Sequence, residues 1–121
     1  MKISFTFDNV LTNQECRDLT KRLLDNGHQV WVLTQRERQD ERPHLNTDLY
    51  TLAKRMGVNG IIFAGSTSKI EKVTEQNIQL HIDDDSEVVK DVNEQTEASS
   101  LLYFQGLIET ITKLLYDKTE V

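Results

Sequence analysis

The stretch Lys2-Ile3-Ser4-Phe5-Thr6-Phe7-Asp8-Asn9-Val10-Leu11-Thr12 decides how the chain is read. Its apolar, β-prone residues stop at Asp8-Asn9, a turn dipeptide, and a helical pattern follows. This predicts a first strand that delivers polar side chains to its carboxyl end. In open α/β sheets that edge is where ligands bind.

Working outward, Thr12-Asn13-Gln14-Glu15 has a cap hydroxyl with Glu three residues on, the capping-box pattern. Leu19, Leu23 and Leu24 share one face and Gly27 supplies a stop, predicting a helix from about Asn13 to Asn26. Gln29-Val30-Trp31-Val32-Leu33 predicts a buried second strand, whose end at Thr34-Gln35-Arg36 meets the same edge as Asp8 if the two strands are parallel. The mixed charges of residues 35–45, with Pro43, make a solvated loop. Arg36, first out of the strand, is the cation best placed to fork onto an anion, ahead of Arg38 and Arg42. His44 has no second ligand at helical or hairpin spacing and reads as a surface residue.

Asn46-Thr47-Asp48 caps a second helix carrying Leu49, Leu52, Ala53 and Met56, ended by Gly57. A short strand from Gly60 to Gly65 follows. Ser66-Thr67-Ser68-Lys69 then opens a third helix to about Gln76 with Ile70 and Val73 facing in. The fourth strand, within Asn77 to Asp85, runs into Asp83-Asp84-Asp85, and adjacent carboxylates repel unless cations or amide donors offset them. Asp85 also suits a helix N-terminus before Ser86-Glu87-Val88-Val89. His81 reads as a packed or hydrogen-bonded strand residue. Asp91 to Ser100 is polar and reads as a loop or frayed helix end. Leu101-Leu102-Tyr103-Phe104 reads as a fifth strand, and Ile108, Ile111, Leu114 and Leu115 as a final amphipathic helix before a frayed tail from Asp117 to Val121.

A chain of 121 residues makes a single domain, 1–121, with one core. Hydrophobic residues at 37% and charged residues at 28% suit a globular protein rather than a disordered one. No apolar run approaches the ~20 residues of a membrane helix, and the first segment reads as a strand rather than a signal peptide, so no membrane partner and a cytoplasmic protein are expected. The formal net charge of -6 disfavours non-specific attraction to nucleic acid. The lone Cys16, beside Leu19 in a predicted helix, reads as a buried structural thiol.

Four ordered positions resemble the motifs of the haloacid-dehalogenase (HAD)-like phosphatases. Phe5-Thr6-Phe7-Asp8-Asn9 resembles the first motif, with Thr6 where the nucleophilic aspartate stands and Asp8 at the second, acid/base aspartate. Thr34 resembles the second-motif hydroxyl, Lys69 the third-motif lysine with Lys72 as runner-up, and Ile82-Asp83-Asp84 the fourth motif. The resemblance runs from Lys2 to about Val92 and is nearest to the small, capless members of bacteria and their phages. With the alternation of strands and helices, it implies an α/β fold, a three-layer α/β/α sandwich on a mainly parallel sheet of about five strands, HAD-like and Rossmannoid, without a cap domain. It also implies Asp8 and Lys69 as catalytic residues, Thr34, Arg36 and Lys69 as phosphate contacts, and Asp8, Asp83 and Asp84 as Mg²⁺ ligands.

Thr6 removes a metal ligand and the nucleophile together, and a neutral hydroxyl without an adjacent base attacks poorly. Losing the nucleophile of a hydrolase costs about 10⁶ in rate, roughly 8 kcal/mol. The expectation is therefore a degenerate phosphatase fold that binds a phosphorylated small molecule or macromolecule, Mg²⁺, or both, with little phosphoaspartate chemistry. One alternative is an active hydrolase in which Asp8, Asp83 and Asp84 hold Mg²⁺ and a metal-bound water attacks. Another is an interaction module using the arginine-rich loop and the acidic surface.

Overall fold

Strands alternate with helices along the chain: β1 (Lys2–Thr6), α1 (Gln14–Asp25), β2 (Gln29–Thr34), α2 (Thr47–Met56), β3 (Gly60–Phe63), α3 (Lys69–Glu75), β4 (Leu80–Asp83), α4 (Ser86–Gln95) and β5 (Ser99–Leu102). This is a computed structural model, and the residues it describes are 1–110, 113 and 114. Every strand pair is parallel, in the order β3-β2-β1-β4-β5. The chain therefore builds outward from β1 through β2 to β3, then crosses to the other side of β1 to lay down β4 and β5. That reversal makes the carboxyl ends of β1 and β4 the switch point of the sheet.

Helices cover both faces. On one, Ile3, Phe5, Val30 and Val32 pack with Cys16 of α1 and with Leu49 and Ala53 of α2. On the other, Leu33 and Ile62 pack with Val73 of α3 and Val92 of α4. The result is the expected α/β fold, and its sheet is parallel throughout. Cys16 is fully buried, and burial chiefly pushes its thiol up to about 11, which suits a packed and unreactive side chain.

Local signals fix several boundaries. Gly57 adopts φ +71 directly after α2, the left-handed conformation that ends a helix most easily in glycine. At Gly60 a Cβ would lie 2.4 Å from the Trp31 ring, so the absent side chain lets the indole pack against β3. Asn9, at φ 65, turns the chain after β1 as its place in the Asp8-Asn9 dipeptide predicts.

Other expectations are corrected. The capping box does not form: Asn13 is the extended residue that opens α1, and it makes no side-chain cap hydrogen bond. Glu15 instead accepts from the Tyr103 hydroxyl and, at 2.7 Å, from the Gly106 backbone N–H, so a tertiary partner outcompetes the local one. Residues Asp91 to Gln95 are helical, because Val92 is fully buried and the Thr96 hydroxyl closes the last turn on the Val92 carbonyl at 2.7 Å. β5 begins two residues earlier than expected, at Ser99. There Asn93 of α4 holds both backbone groups of Ser100, at 2.8 and 3.0 Å. β4 is shorter than its predicted span, and Asn77 at φ 55 belongs to the turn before it. The final helix is seen at residues 107–110, 113 and 114; Leu107 and Ile108 pack on the first core, whereas Leu114, expected on the same apolar stripe, is exposed. Ile111, Leu115 and the tail from Asp117 to Val121 lie outside the described residues. Among the described residues no helix is long and apolar enough to cross a membrane.

Candidate functional site

Alternation along β1 sends Ile3 and Phe5 into one core and turns Ser4 and Thr6 to the opposite face of the sheet. β4 does the same with His81 and Asp83, and the register sets Ser4 opposite His81. Two adjacent polar pairs result: Ser4 Oγ lies 2.7 Å from His81 Nδ1, and Thr6 Oγ1 donates to Asp83 Oδ2 at 2.7 Å. His81 Nε2 reaches the same Asp83 oxygen at 2.8 Å. Lys69, the first residue of α3, closes the group, donating to Thr6 Oγ1 at 2.8 Å and to Asp83 Oδ2 at 3.0 Å. Ser100 extends the stripe to β5, its hydroxyl donating to the His81 carbonyl at 2.8 Å.

These groups are interior. Ser4, His81 and Asp83 are each 0% exposed, and Thr6 at the end of β1 and Lys69 at the start of α3 are buried. Burial by itself raises the Asp83 carboxyl. The hydrogen bond from His81, the charge of Lys69 and the hydrogen bond from Thr6 outweigh it and hold Asp83 well below the usual carboxylate range. An ionised Asp83 accepts only, so His81 Nε2 carries a proton toward it, and in the neutral imidazole Nδ1 accepts from Ser4. Ser4, His81 and Asp83 thus contain the residue types of a hydrolytic triad. With Ser4 fully buried in mid-strand, no substrate reaches its hydroxyl.

A second cluster lies at the rim. Arg36 forks between Asp8 and Asp48, with Nη2 at 2.8 Å from Asp8 Oδ1 and Nη1 at 2.8 Å from Asp48 Oδ1. Its guanidinium also sits 5.0 Å from the centre of the Phe7 ring. Asp48 first and Asp8 second push Arg36 further up, and the same contact lowers Asp48. Thr34 is buried, and its hydroxyl accepts from the Arg36 backbone N–H at 3.1 Å. Lys72, the runner-up to Lys69, pairs with Glu75 at 3.4 Å instead.

Asp84, next to Asp83, lines a groove of about 330 Å³ with Asn9, Asn13 and Tyr103. Burial, with the neighbouring Asp83 charge, pushes its carboxyl up. Asp85 caps α4, accepting from Glu87 N at 2.9 Å, and its own N–H donates to Asp83 Oδ1 at 3.0 Å. The three carboxylates named for Mg²⁺ therefore go to three different sets of partners. Both Asp83 oxygens are taken by donors, and Asp8 is held by Arg36. In this arrangement the donor set does not fit Mg²⁺, which needs open oxygen ligands at octahedral spacing. Among the described residues no group of three or more His, Cys, Asp and Glu side chains is arranged to hold a metal.

Of the residues singled out in the sequence, Thr6, Lys69 and Asp83 meet in the interior and Asp8 and Arg36 meet at the rim. Ser4, Asp48 and Ser100 enter the site without having been singled out for it. Polar residues at period two in both β1 and β4 were the available signal for Ser4. The chain matches no protein-family model, and no curated protein is significantly similar to it.

Proposed function

We propose that the chain is a HAD-like phosphatase-fold protein that binds a phosphorylated ligand at the switch point and carries out no phosphoaspartate chemistry. The observation that supports this most directly is the bonding of the Thr6 hydroxyl. Its proton points to Asp83, a carboxylate held so far below the usual range that it is a very weak base, and its oxygen accepts from Lys69, so the hydroxyl is not activated as a nucleophile. Two cations stand at this edge: Lys69 has a third ammonium proton beyond its two bonds, and the planar fork of Arg36 is held by two exposed carboxylates that an incoming anion can displace.

Energetics support a functional reading of the stripe. Buried ion pairs are often no more stabilising than packed apolar side chains of the same volume. A fully satisfied polar group at the switch point, the place where ligands bind in such sheets, is better accounted for by binding than by stability. Mg²⁺ is not required in this reading, because the carboxylates that would hold it are committed elsewhere. The carboxyl edge of the sheet leaves Asp8 and Asp48 exposed, so a phosphorylated macromolecule can approach it as readily as a small molecule. A cytoplasmic setting accords with the single buried thiol of Cys16.

Calorimetric titration with inorganic phosphate and a set of phosphomonoesters, with and without Mg²⁺, tests the proposal when phosphate release is followed in the same samples. Expected is saturable binding without Mg²⁺ and without release, weakened about tenfold in Arg36→Ala, a loss of about 1.4 kcal/mol. Mg²⁺-dependent release abolished by Asp83→Asn would replace this reading with the metal-activated hydrolase. Absence of any phosphate or metal binding would replace it with the interaction module.

A further inference from the structure

The outer side of β3 is a second surface, at the far edge of the sheet from β5. Among the described residues β3 pairs only with β2, so its other side presents backbone N–H and C=O groups without a strand partner. Ala64 N donates inward to Thr34 O at 2.8 Å, and the alternation of a strand then turns the Phe63 N–H outward.

Two clefts straddle this edge. One, of about 390 Å³ on the α2 side, is lined by Tyr50, Val58, Ile61 and Phe63 together with Arg38 and Lys54. The other, of about 480 Å³ on the α3 side, is lined by Trp31, Ile62 and Ala64 together with Arg38, Lys72 and Glu37. Side chains of an added strand alternate between the faces of a sheet, so successive residues would enter the two clefts in turn. Tyr50 and Phe63, with ring centres 6.1 Å apart, and the Trp31 indole give both clefts aromatic walls.

Charge then selects the partner. The ionised residues lining the clefts are Arg38, Lys54, Lys72 and Glu37, an excess of positive charge on a chain of formal net charge -6. Arg38 and Lys72 have exposed carboxylate neighbours, Asp40 and Glu75, but such solvated pairs are weak and exchange readily for an incoming carboxylate. A second copy of the chain presenting the same edge would set these cations against their own images. We infer that the β3 edge takes an extended peptide of a partner protein, apolar with acidic flanks, as a sixth parallel or antiparallel strand.

Fluorescence polarisation with three labelled, capped peptides of one β-prone sequence, carrying Glu, Ser or Lys at the polar positions, tests this. The Glu peptide should bind at least about tenfold more tightly than the Ser peptide and the Lys peptide weakest, an order that Arg38→Glu/Lys54→Glu reverses. N-methylation of alternate amides of the Glu peptide should abolish binding in one of the two phases, since only one set of amides faces the protein. The inference is overturned if no peptide binds, if the three bind alike, or if neither N-methylated phase differs from the parent. A dimer of the chain that the double variant dissociates would also overturn it, by assigning the edge to a second copy.

Discussion

Lys69 Nζ lies 2.8 Å from the Thr6 hydroxyl, so an ammonium from the start of α3 is fixed at the end of the central strand. Its charge is balanced by Asp83 alone at close range, at 3.0 Å. The balance is one cation to one carboxylate.

Thr6→Asp adds a second carboxylate against Asp83 with only Lys69 to offset it. Like charges in a buried site raise carboxyl pKa values and disfavour the fold, so a loss of about 1–3 kcal/mol is expected in urea denaturation. The same variant should show a rise in Tm with Mg²⁺ that the wild type lacks, because the added oxygens supply what the natural set does not. Identical Mg²⁺ responses in both proteins would contradict the account of the site.

Removing Lys69 alone leaves Asp83 charged and buried. Lys69→Met should therefore cost about 3–5 kcal/mol, and Lys69→Met/Asp83→Asn should recover part of that, since no unpaired charge remains. Chemical denaturation of the two single variants and the double variant forms the cycle. Strictly additive losses would mean that the pair does not interact as its 3.0 Å separation implies.

Glu15 ties α1 to the segment after β5, and the Tyr103 hydroxyl first, with the Gly106 N–H, holds its carboxyl below the usual value. A depressed folded-state pKa means that the unfolded chain binds the proton more tightly. The contribution is thus fully present above the ordinary Glu value of about 4.3 and fades as pH falls through the folded value. Glu15→Gln should cost about 1–2 kcal/mol at neutral pH and progressively less below about pH 4. Denaturation midpoints of both proteins across that range would reveal the convergence; a constant gap would count against it.

Asp8 and Asp48 occupy the Arg36 fork, yet their side chains are 52% and 60% exposed, so an incoming anion competes with solvated rather than buried carboxylates. Asp8→Asn/Asp48→Asn should therefore raise the affinity for inorganic phosphate by about tenfold and leave the melting temperature nearly unchanged. Titration calorimetry of the double variant measures it, and unchanged or weaker binding would remove Arg36 from the proposed site.

Much of the fold was legible because its signals are local. The Asp8-Asn9 turn, the glycine after α2 and the β-branched run of β2 act within a few residues of where they stand. Lys69 could be preferred to Lys72 because a helix start lies nearer the sheet edge than its second turn. The site was less legible, since its bonds join distant segments. Ser4 meets His81 only because β4 lies beside β1, and strand order is not written in any local pattern. Asp48 reads as a helix cap until α2 is seen to deliver it to Arg36. Glu15 shows the converse: a convincing local motif gives way to Tyr103, whose position only the finished sheet defines.

The separation of 77 residues between the partners of both cross-strand polar pairs also sets the order in which this molecule can be made. A ribosome delivers β1 first, but Ser4 meets His81 and Thr6 meets Asp83 only after β2, β3 and the crossover to β4 have been synthesised. Loop closure over that span is slow relative to local helix formation. Until it happens, the central strand holds two polar side chains that cannot be buried without loss. The pairs therefore tie the burial of the polar face of β1 to the arrival of β4: until His81 and Asp83 are in place, Ser4 lacks its partner and Thr6 has only Lys69.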